Sequence, residues 1–304
     1  MYTFYARHRM DISQETYDLL WNSRYVAIHY PQSKHSTGGE DTTSIDPDDY
    51  KGTPKQALKA LLELGEDGGY VCAEYSGVNS CLLGKVNPKT GVELLRGKWD
   101  TYPDKTAILK AVKMAFAQEV PPSDYAVIMA GRPRQGTLQH WWNAGRAIEC
   151  IVDGREPQRN VASLHPSQQE VLCSEYLLSD LPLRVGVPQL AHHLLPVGRC
   201  LRDLDILGIT SSGDRLFAQV TYKSFEKATQ KLNALKLYGQ SSSDVLVMFC
   251  RNDGVKNIDG IYIVSIDFVF DKFCSAPTGK LWLEKSLFPA GRALTSDWSR
   301  KFDP

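Results

Sequence analysis

The sequence of 304 residues lacks an excess of charge of either sign, since 35 lysines and arginines balance 35 aspartates and glutamates. No whole-chain field attracts a polyanion, so any binding of nucleic acid has to come from a local patch. The chain also lacks an apolar run long enough to cross a bilayer. Its first residues, MYTFYARHRMDIS, lack the apolar core of a signal peptide. These absences predict a cytoplasmic protein with no membrane partner.

The seven cysteines are odd in number, scattered, and without a CxxC pair. This pattern argues against a disulfide framework or a structural zinc site and favours a reducing cytosol. The hydrophobic share of 42% and the charged share of 23% are typical of a soluble globular chain. The length is sufficient for two domains of ordinary size.

The pattern of apolar residues changes near residue 160. Before it, short strand-like runs alternate with turn residues and one or two helices, and a polar loop covers 31–54. After it, the order helix, strand, strand, helix, strand, strand predicts a central mixed sheet flanked by helices. We therefore predict an α/β protein (α+β overall). Its first domain, over 1–160, is mostly β and barrel-like, and its second domain covers 161–304.

The stretch RDLDILGITSSGDRLFAQVTYK predicts a hairpin that turns at SSGD and carries an unusual set of polar side chains. Strand alternation places Asp203 and Asp205 on one face. It likewise places Gln219, Thr221 and Lys223 on one face of the partner strand. Carboxylate and amide oxygens suit a hard divalent cation, which can polarise a phosphodiester, and a nearby lysine can orient the attacking water. A solvent-facing polar surface is the alternative, and the spacing leaves it open.

Basic residues follow this hairpin at intervals of four, namely Lys223, Lys227 and Lys231. The latter two would line one helical face, where they could meet a phosphate backbone. A solvated helix face explains the same spacing. In GRPRQG, Arg132 and Arg134 stand between glycines and are suited to grip a phosphate, although the segment is equally an ordinary exposed turn.

The order of these elements resembles a known family. A helix that contains Glu170, then LDILGI, a turn, LFAQVTYK and a helix that ends in NALKLYG resemble the PD-(D/E)xK nuclease superfamily, in its Mrr-like restriction endonuclease branch. The resemblance covers roughly 163–270 and implies a restriction endonuclease-like fold that needs Mg²⁺ or Mn²⁺. It implies that Asp205 and Gln219 bind the metal and that Glu170 assists catalysis.

The chain departs from the family at the motif lysine. The family places it two residues after Gln219, where this chain has Thr221. Lys223 lies one pleat further along the strand, about 7 Å away, and we expect it to replace the motif lysine in catalysis. Lys227 or Lys231 could also take the role from the helix. If none of them does, the fold is retained without cleavage.

The region before residue 160 is rich in aromatic residues. YVAIHYP, a helix and GGYVCAEYSGVNSCLLGKV resemble the PUA- or EVE-like modules of modification-dependent restriction enzymes. The resemblance implies a pocket in which aromatic faces hold a flipped base. Core and rim positions of a β domain are the alternative for these side chains. The candidates for base recognition are Trp21, Tyr30, Trp99, Trp141 and Trp142.

Together these patterns predict a metal-dependent DNA endonuclease that acts in restriction or anti-phage defence, on DNA that carries modified bases. A homodimer is one expected state because cutting both strands requires two sites, although no residue pattern points to it. Two alternatives stay open: a nuclease fold that has lost catalysis and binds nucleic acid or protein, and a small-molecule sensor gated by the aromatic domain.

Overall fold

The computed structural model describes residues 1–34, 41–133, 136–142, 145–197 and 203–287. The described residues divide into two compact units, of which the first spans Met1–Pro157 and the second begins at Gln158. Each unit contains helices and sheets, so the predicted mixed α/β class is confirmed. In these ranges no helix is both long and apolar enough to cross a membrane.

The first unit contains two sheets. Five strands form a mixed sheet in the order β7-β4-β3-β1-β8, in which β1 and β3 are parallel and the other pairs are antiparallel. Three strands form an antiparallel sheet in the order β2-β6-β5. The strands are β1 Tyr2–His8, β2 Tyr25–Ile28, β3 Gly69–Tyr75, β4 Cys81–Val86, β5 Glu93–Lys98, β6 Thr106–Lys113, β7 Phe116–Glu119 and β8 Leu138–His140. The helices are α1 Gln14–Asn22, α2 Gly52–Asp67, α3 Pro122–Ala130 and α4 Gly145–Val152, with a 3-10 turn at Pro47–Asp49.

These sheets do not form the barrel that the sequence analysis predicted. Strands β2, β5 and β6 pair with one another instead of with β7 or β8, so the described sheets keep separate edges. Strand alternation gives β1 two buried faces, because Phe4 and Ala6 belong to the core cluster that includes α1 and α2. Tyr5 faces a second cluster with Trp141 and Ile148. Both faces of β1 are thus buried against other side chains, whereas the predicted barrel would have closed the sheet on itself.

The second unit is built on a mixed sheet in the order β13-β14-β12-β11-β10-β9. β10 is antiparallel to both β9 and β11, while β11, β12 and β14 are parallel. The strands are β9 Leu190–His193, β10 Ile206–Thr210, β11 Arg215–Ser224, β12 Val245–Arg251, β13 Val255–Ile258 and β14 Ile261–Ser265. The helices are α5 Pro166–Leu178, α6 Thr229–Lys236, α7 Ile266–Ser275 and α8 Pro277–Leu287, with 3-10 turns at Val161–Ser163, Pro182–Val185 and Phe225–Lys227.

Helices pack on both faces of this sheet. Leu172 of α5 and Val269 of α7 share a core cluster with Ala218 of β11. Leu235 of α6 shares a cluster with Phe217 on the opposite face of the same strand. The alternation of β11 therefore divides its side chains between two helical layers.

The predicted hairpin is present between β10 and β11. The Thr210 N–H donates to the Asp214 carbonyl at 2.8 Å. Gly213 has a φ of 90°, in the left-handed region that glycine adopts without strain. This turn fixes the register of the two strands, with Ile206 opposite Ala218.

Candidate functional site

Asp205 and Gln219 face each other across the hairpin. Ile206 pairs with Ala218, so the next position along each strand sets Asp205 opposite Gln219. The Gln219 side-chain amide donates to Asp205 Oδ2 at 2.8 Å. The Val220 backbone N–H donates to the same oxygen at 2.7 Å. The carboxylate is thus held in one orientation by two hydrogen bonds.

The amide oxygen of Gln219 is an unpartnered buried acceptor. Gln219 is 2% exposed, and its Oε1 has no hydrogen-bond partner among the described residues. Leaving such a group unsatisfied costs about 1–3 kcal/mol, so a ligand or water at this oxygen would be stabilising. The unpartnered oxygen lies on the amide that contacts the Asp205 carboxylate.

Lys231 of α6 contacts Val220 of β11, whose backbone N–H also donates to Asp205. Its Nζ donates to the Val220 carbonyl at 3.0 Å. The backbone N–H of Val220 contacts Asp205 and the backbone carbonyl contacts Lys231, so an acid and a base meet at one residue. Of the three lysines named in the sequence analysis, Lys231 is the one with a hydrogen bond to this segment of β11, at the Val220 carbonyl.

Lys223 does not occupy the position that regular alternation predicts. Val220 pairs with Phe249, and Ser224 pairs with Arg251. The chain therefore advances by four residues along β11 while it advances by two residues along β12. The strand bulges over Thr221–Lys223, which breaks the alternation on which the prediction relied. The Lys223 side chain is exposed, whereas Thr221 is buried.

The predicted basic stripe is also interrupted. Lys227 ends a 3-10 turn and is exposed, while α6 begins at Thr229. Ala228 separates the two elements and belongs to the core cluster under α6. The prediction that Lys227 and Lys231 line one helical face is therefore wrong, and Lys231 turns inward to the Val220 carbonyl.

Asp203 and Asp205 do not share a strand face. Asp203 lies in an exposed turn, and Asp205 lies in a bend before β10. Leu204 packs in the cluster under α6, whereas Ile206 packs in the cluster under α5. Regular alternation would have placed these two on one face, so the bend at Asp205 separates Asp203 from the site.

Glu170 approaches the site from α5. Burial, and then the charges of Asp205 and Glu170, raise the pKa of the Cys173 thiol well above its ordinary value. Both carboxylates thus lie near one buried thiol, and Glu170 itself is half-buried. The sequence placed Glu170 with Asp205 only through the family resemblance.

The donor set of this site fits a hard divalent cation with water in the remaining positions. Carboxylate and amide oxygens are the ligands that such a cation prefers, and Asp205 and the unpartnered oxygen of Gln219 provide them. Over the residues that the structure describes, no group of three or more His, Cys, Asp or Glu side chains could hold a metal.

The aromatic candidates of the first unit fall into two groups. Trp141 is a core residue, with its Nε1–H donating to the Gly131 carbonyl at 3.0 Å. Trp21 and Trp99 pack against the main core. Tyr30 lines a pocket of about 400 Å³, and Trp142 is 71% exposed. The pocket is lined by Tyr30, Pro31, Gln32, Ser33, Lys34, Asp49, Tyr50, Lys51 and Pro54.

Arg132 does not lie in a free turn, because its Nη1 donates to both oxygens of the Glu74 carboxylate at 3.1 and 3.2 Å. Arg134 lies outside the described residues. Sequence reasoning missed Arg7 and Arg9, which contact the same carboxylate. Their alternation in ARHRM at the end of a strand is a signal that could have found them.

Comparison of the chain with protein-family models, with curated proteins and with solved structures finds no match.

Proposed function

We propose that the second unit is a metal-dependent DNA endonuclease of the PD-(D/E)xK type. The observation that carries this proposal is the meeting of Asp205, Gln219 and Lys231 at Val220, with the Gln219 oxygen buried and unpartnered. Asp205 and Gln219 would hold Mg²⁺ or Mn²⁺. When bound, the cation would supply Lewis-acid chemistry that polarises a phosphodiester and lowers the pKa of a water molecule.

The chain's own residues position the reactants. Asp205 is oriented by the amide of Gln219 and by the Val220 N–H. Lys231 holds an ammonium group at the Val220 carbonyl, from which it would stabilise the negative charge that develops on the phosphate. Glu170 adds a second carboxylate from α5. The proposed setting is the cytoplasm, in defence against foreign DNA, with a homodimer as the form that cuts both strands.

One observation favours the alternative of a binding module without catalysis. Asp205 accepts the N–H of Val220, and Lys231 donates to the Val220 carbonyl. The two side chains therefore satisfy backbone groups of β11 at a point where β10 no longer pairs with it. Such capping stabilises the fold whether or not a metal binds.

A cleavage assay separates the two. Plain and base-modified plasmid DNA is incubated with the full chain in Mg²⁺, in Mn²⁺ and in EDTA. The nuclease proposal expects cleavage that EDTA abolishes. Intact DNA under every metal condition, from a protein that still binds it, would establish the binding module instead.

The lysine assignment gives a direct prediction. Lys231→Met keeps the length of the side chain but removes the ammonium group, and we expect the cleavage rate to fall about 100-fold, as when one transition-state donor is lost. Lys223→Met is the matched control and should cleave at the rate of the parent chain. A large loss in Lys223→Met with none in Lys231→Met would return the role to Lys223.

We further propose that the pocket beside Tyr30 and Tyr50 receives a base of the target DNA. Its aromatic side chains suit a planar ring, and Lys34 and Lys51 line the pocket together with Asp49. Trp142, stacked on His140 at 4.7 Å between ring centroids, offers a second exposed aromatic surface.

Loss of the Tyr30 ring tests this recognition role. In Tyr30→Leu we expect the Kd for base-modified duplex DNA to rise about tenfold, because stacking on one aromatic ring contributes roughly 1–3 kcal/mol. The exposed Tyr102 provides the control variant Tyr102→Leu. Equal Kd values for both variants, measured by fluorescence anisotropy in EDTA, would exclude Tyr30 from base recognition.

A further inference from the structure

Three arginines of the first unit share one carboxylate. Glu74 lies on β3, its side chain is 9% exposed, and Arg132 Nη1 contacts it at 3.1 Å. Arg9 Nη2 lies at 3.7 Å and Arg7 Nε at 3.9 Å from the same carboxylate. Parallel pairing of β1 with β3 sets Arg7 directly opposite Glu74, and Arg9 follows the end of β1. The four side chains form what we call the Glu74 cluster.

The Glu74 cluster has more positive than negative charge. Three guanidinium groups against one carboxylate leave two positive charges. The neighbouring His8 adds none at neutral pH, since burial lowers its pKa to about 4. Burial, the hydrogen bond with Glu74 and its charge raise the pKa of Tyr5, which donates its O–H to that carboxylate and stays neutral.

Stability alone does not require this excess. One bidentate arginine satisfies a buried carboxylate, and further like charges nearby repel one another. Arg9 is 65% exposed and Arg132 is 33% exposed, so both guanidinium groups are open to solvent. Each guanidinium has five N–H donors in a planar fork, a geometry that matches the oxygens of a phosphate.

We propose that Arg7, Arg9 and Arg132 form a phosphate-binding site that takes a phosphodiester of a polynucleotide backbone. Glu74 holds the guanidinium groups in place and balances part of their charge while the site is empty of ligand. The choice of a polynucleotide as the phosphate carrier rests on the proposed function, whereas the site itself rests on the Glu74 cluster.

The test measures binding of a fluorescent DNA duplex to the full chain by anisotropy, in EDTA, over a series of salt concentrations. In Arg9→Gln we expect a weaker Kd, by about five- to tenfold at low salt. We also expect the slope of log K against log salt to fall by about one unit, as for the loss of one phosphate contact. Arg96→Gln removes an exposed arginine of β5 and serves as the matched control.

A second variant moves binding in the opposite direction. In Glu74→Gln the carboxylate no longer competes for the arginines, so we expect tighter binding of DNA, with folding checked by the thermal unfolding midpoint. A purely structural role of the Glu74 cluster predicts equal or weaker binding. If Arg9→Gln matches Arg96→Gln in both Kd and slope, the polynucleotide assignment is overturned.

A measurement with inorganic phosphate distinguishes a site for free phosphate from a site for the phosphodiester of DNA. If phosphate raises the unfolding midpoint of the parent chain but not that of Arg9→Gln, while DNA binding is unchanged, the site takes free phosphate. If neither ligand distinguishes the variants, no phosphate site exists. All of these measurements are made without metal, so the failure of this inference is distinguishable from a failure of cleavage at Asp205.

Discussion

The Asp205→Asn variant is expected to cleave DNA roughly 1000-fold more slowly than the parent chain, because a metal ligand contributes several kcal/mol of transition-state stabilisation. Asparagine has the shape of aspartate but lacks its charge. Its side-chain oxygen, in the place of Asp205 Oδ2, can still accept both the Val220 N–H and the Gln219 amide N–H. The fold should therefore survive while the metal is lost.

Asp203→Asn is the matched control for this variant. Asp203 has the same chemistry two residues away but is exposed in a turn. We expect the Asp203→Asn rate to equal that of the parent chain in single-turnover cleavage at saturating Mg²⁺. Equal rates for all three proteins would remove Asp205 from the active site, and an Asp205→Asn rate restored by a higher metal concentration would identify weakened metal binding as the cause.

Acidification is expected to destabilise the first unit by about 3 kcal/mol through His8 alone. His8 is buried, its Nδ1 lies 2.9 Å from the Glu74 carbonyl, and its Nε2 accepts the Ala27 N–H at 2.9 Å. Because the Ala27 nitrogen can only donate, the neutral tautomer must have its proton on Nδ1. Burial lowers the pKa of His8 to about 4, against an ordinary value of about 6.5.

The sign follows from proton binding. Between pH 6.5 and pH 4 the unfolded chain protonates His8 and the folded chain does not, so the unfolded state binds more protons. The contribution of His8 to stability is fully present above pH 6.5 and is lost as the pH falls towards 4. The difference of pKa corresponds to about 3 kcal/mol at pH 4.

The comparison with His8→Gln isolates this effect. Urea unfolding is followed by tryptophan fluorescence, since Trp21, Trp99, Trp141 and Trp142 lie in the described part of the first unit. We expect the loss of unfolding free energy between pH 7 and pH 4 to be about 3 kcal/mol smaller in His8→Gln. The exposed His192 supplies the control His192→Gln, and the same pH dependence in all three proteins would refute the assignment.

The sequence pattern predicted the part of the candidate site that depends on the hairpin alone. The SSGD turn fixes the hairpin register, and that register alone places Asp205 opposite Gln219. Lys231 could not be assigned in this way, because its contact with Val220 depends on how α6 packs against β11. Regular alternation failed at Lys223 because a bulge leaves no mark in the pattern of apolar residues.

Long-range pairing explains what the sequence could not predict in the first unit. Arg7 meets Glu74 because β1 and β3 are parallel neighbours, although two helices, a strand and a long loop separate them in the chain. Aromatic content predicted base-binding candidates without distinguishing buried rings from accessible ones. Trp141 is therefore a core residue, while Trp142, next to it in sequence, is exposed.

The bulge in β11 changes the spacing between Gln219 and Lys223. It contains two more residues than the facing segment of β12, since four steps oppose two. Removing Thr221 and Tyr222 would leave the sequence Gln-Val-Lys, in which Lys223 follows Gln219 at the distance that the PD-(D/E)xK family uses. Under the proposed function, the spacing of this chain is thus equivalent to a two-residue insertion in one strand, and the ammonium group of Lys231 at the Val220 carbonyl would take the role of the displaced lysine.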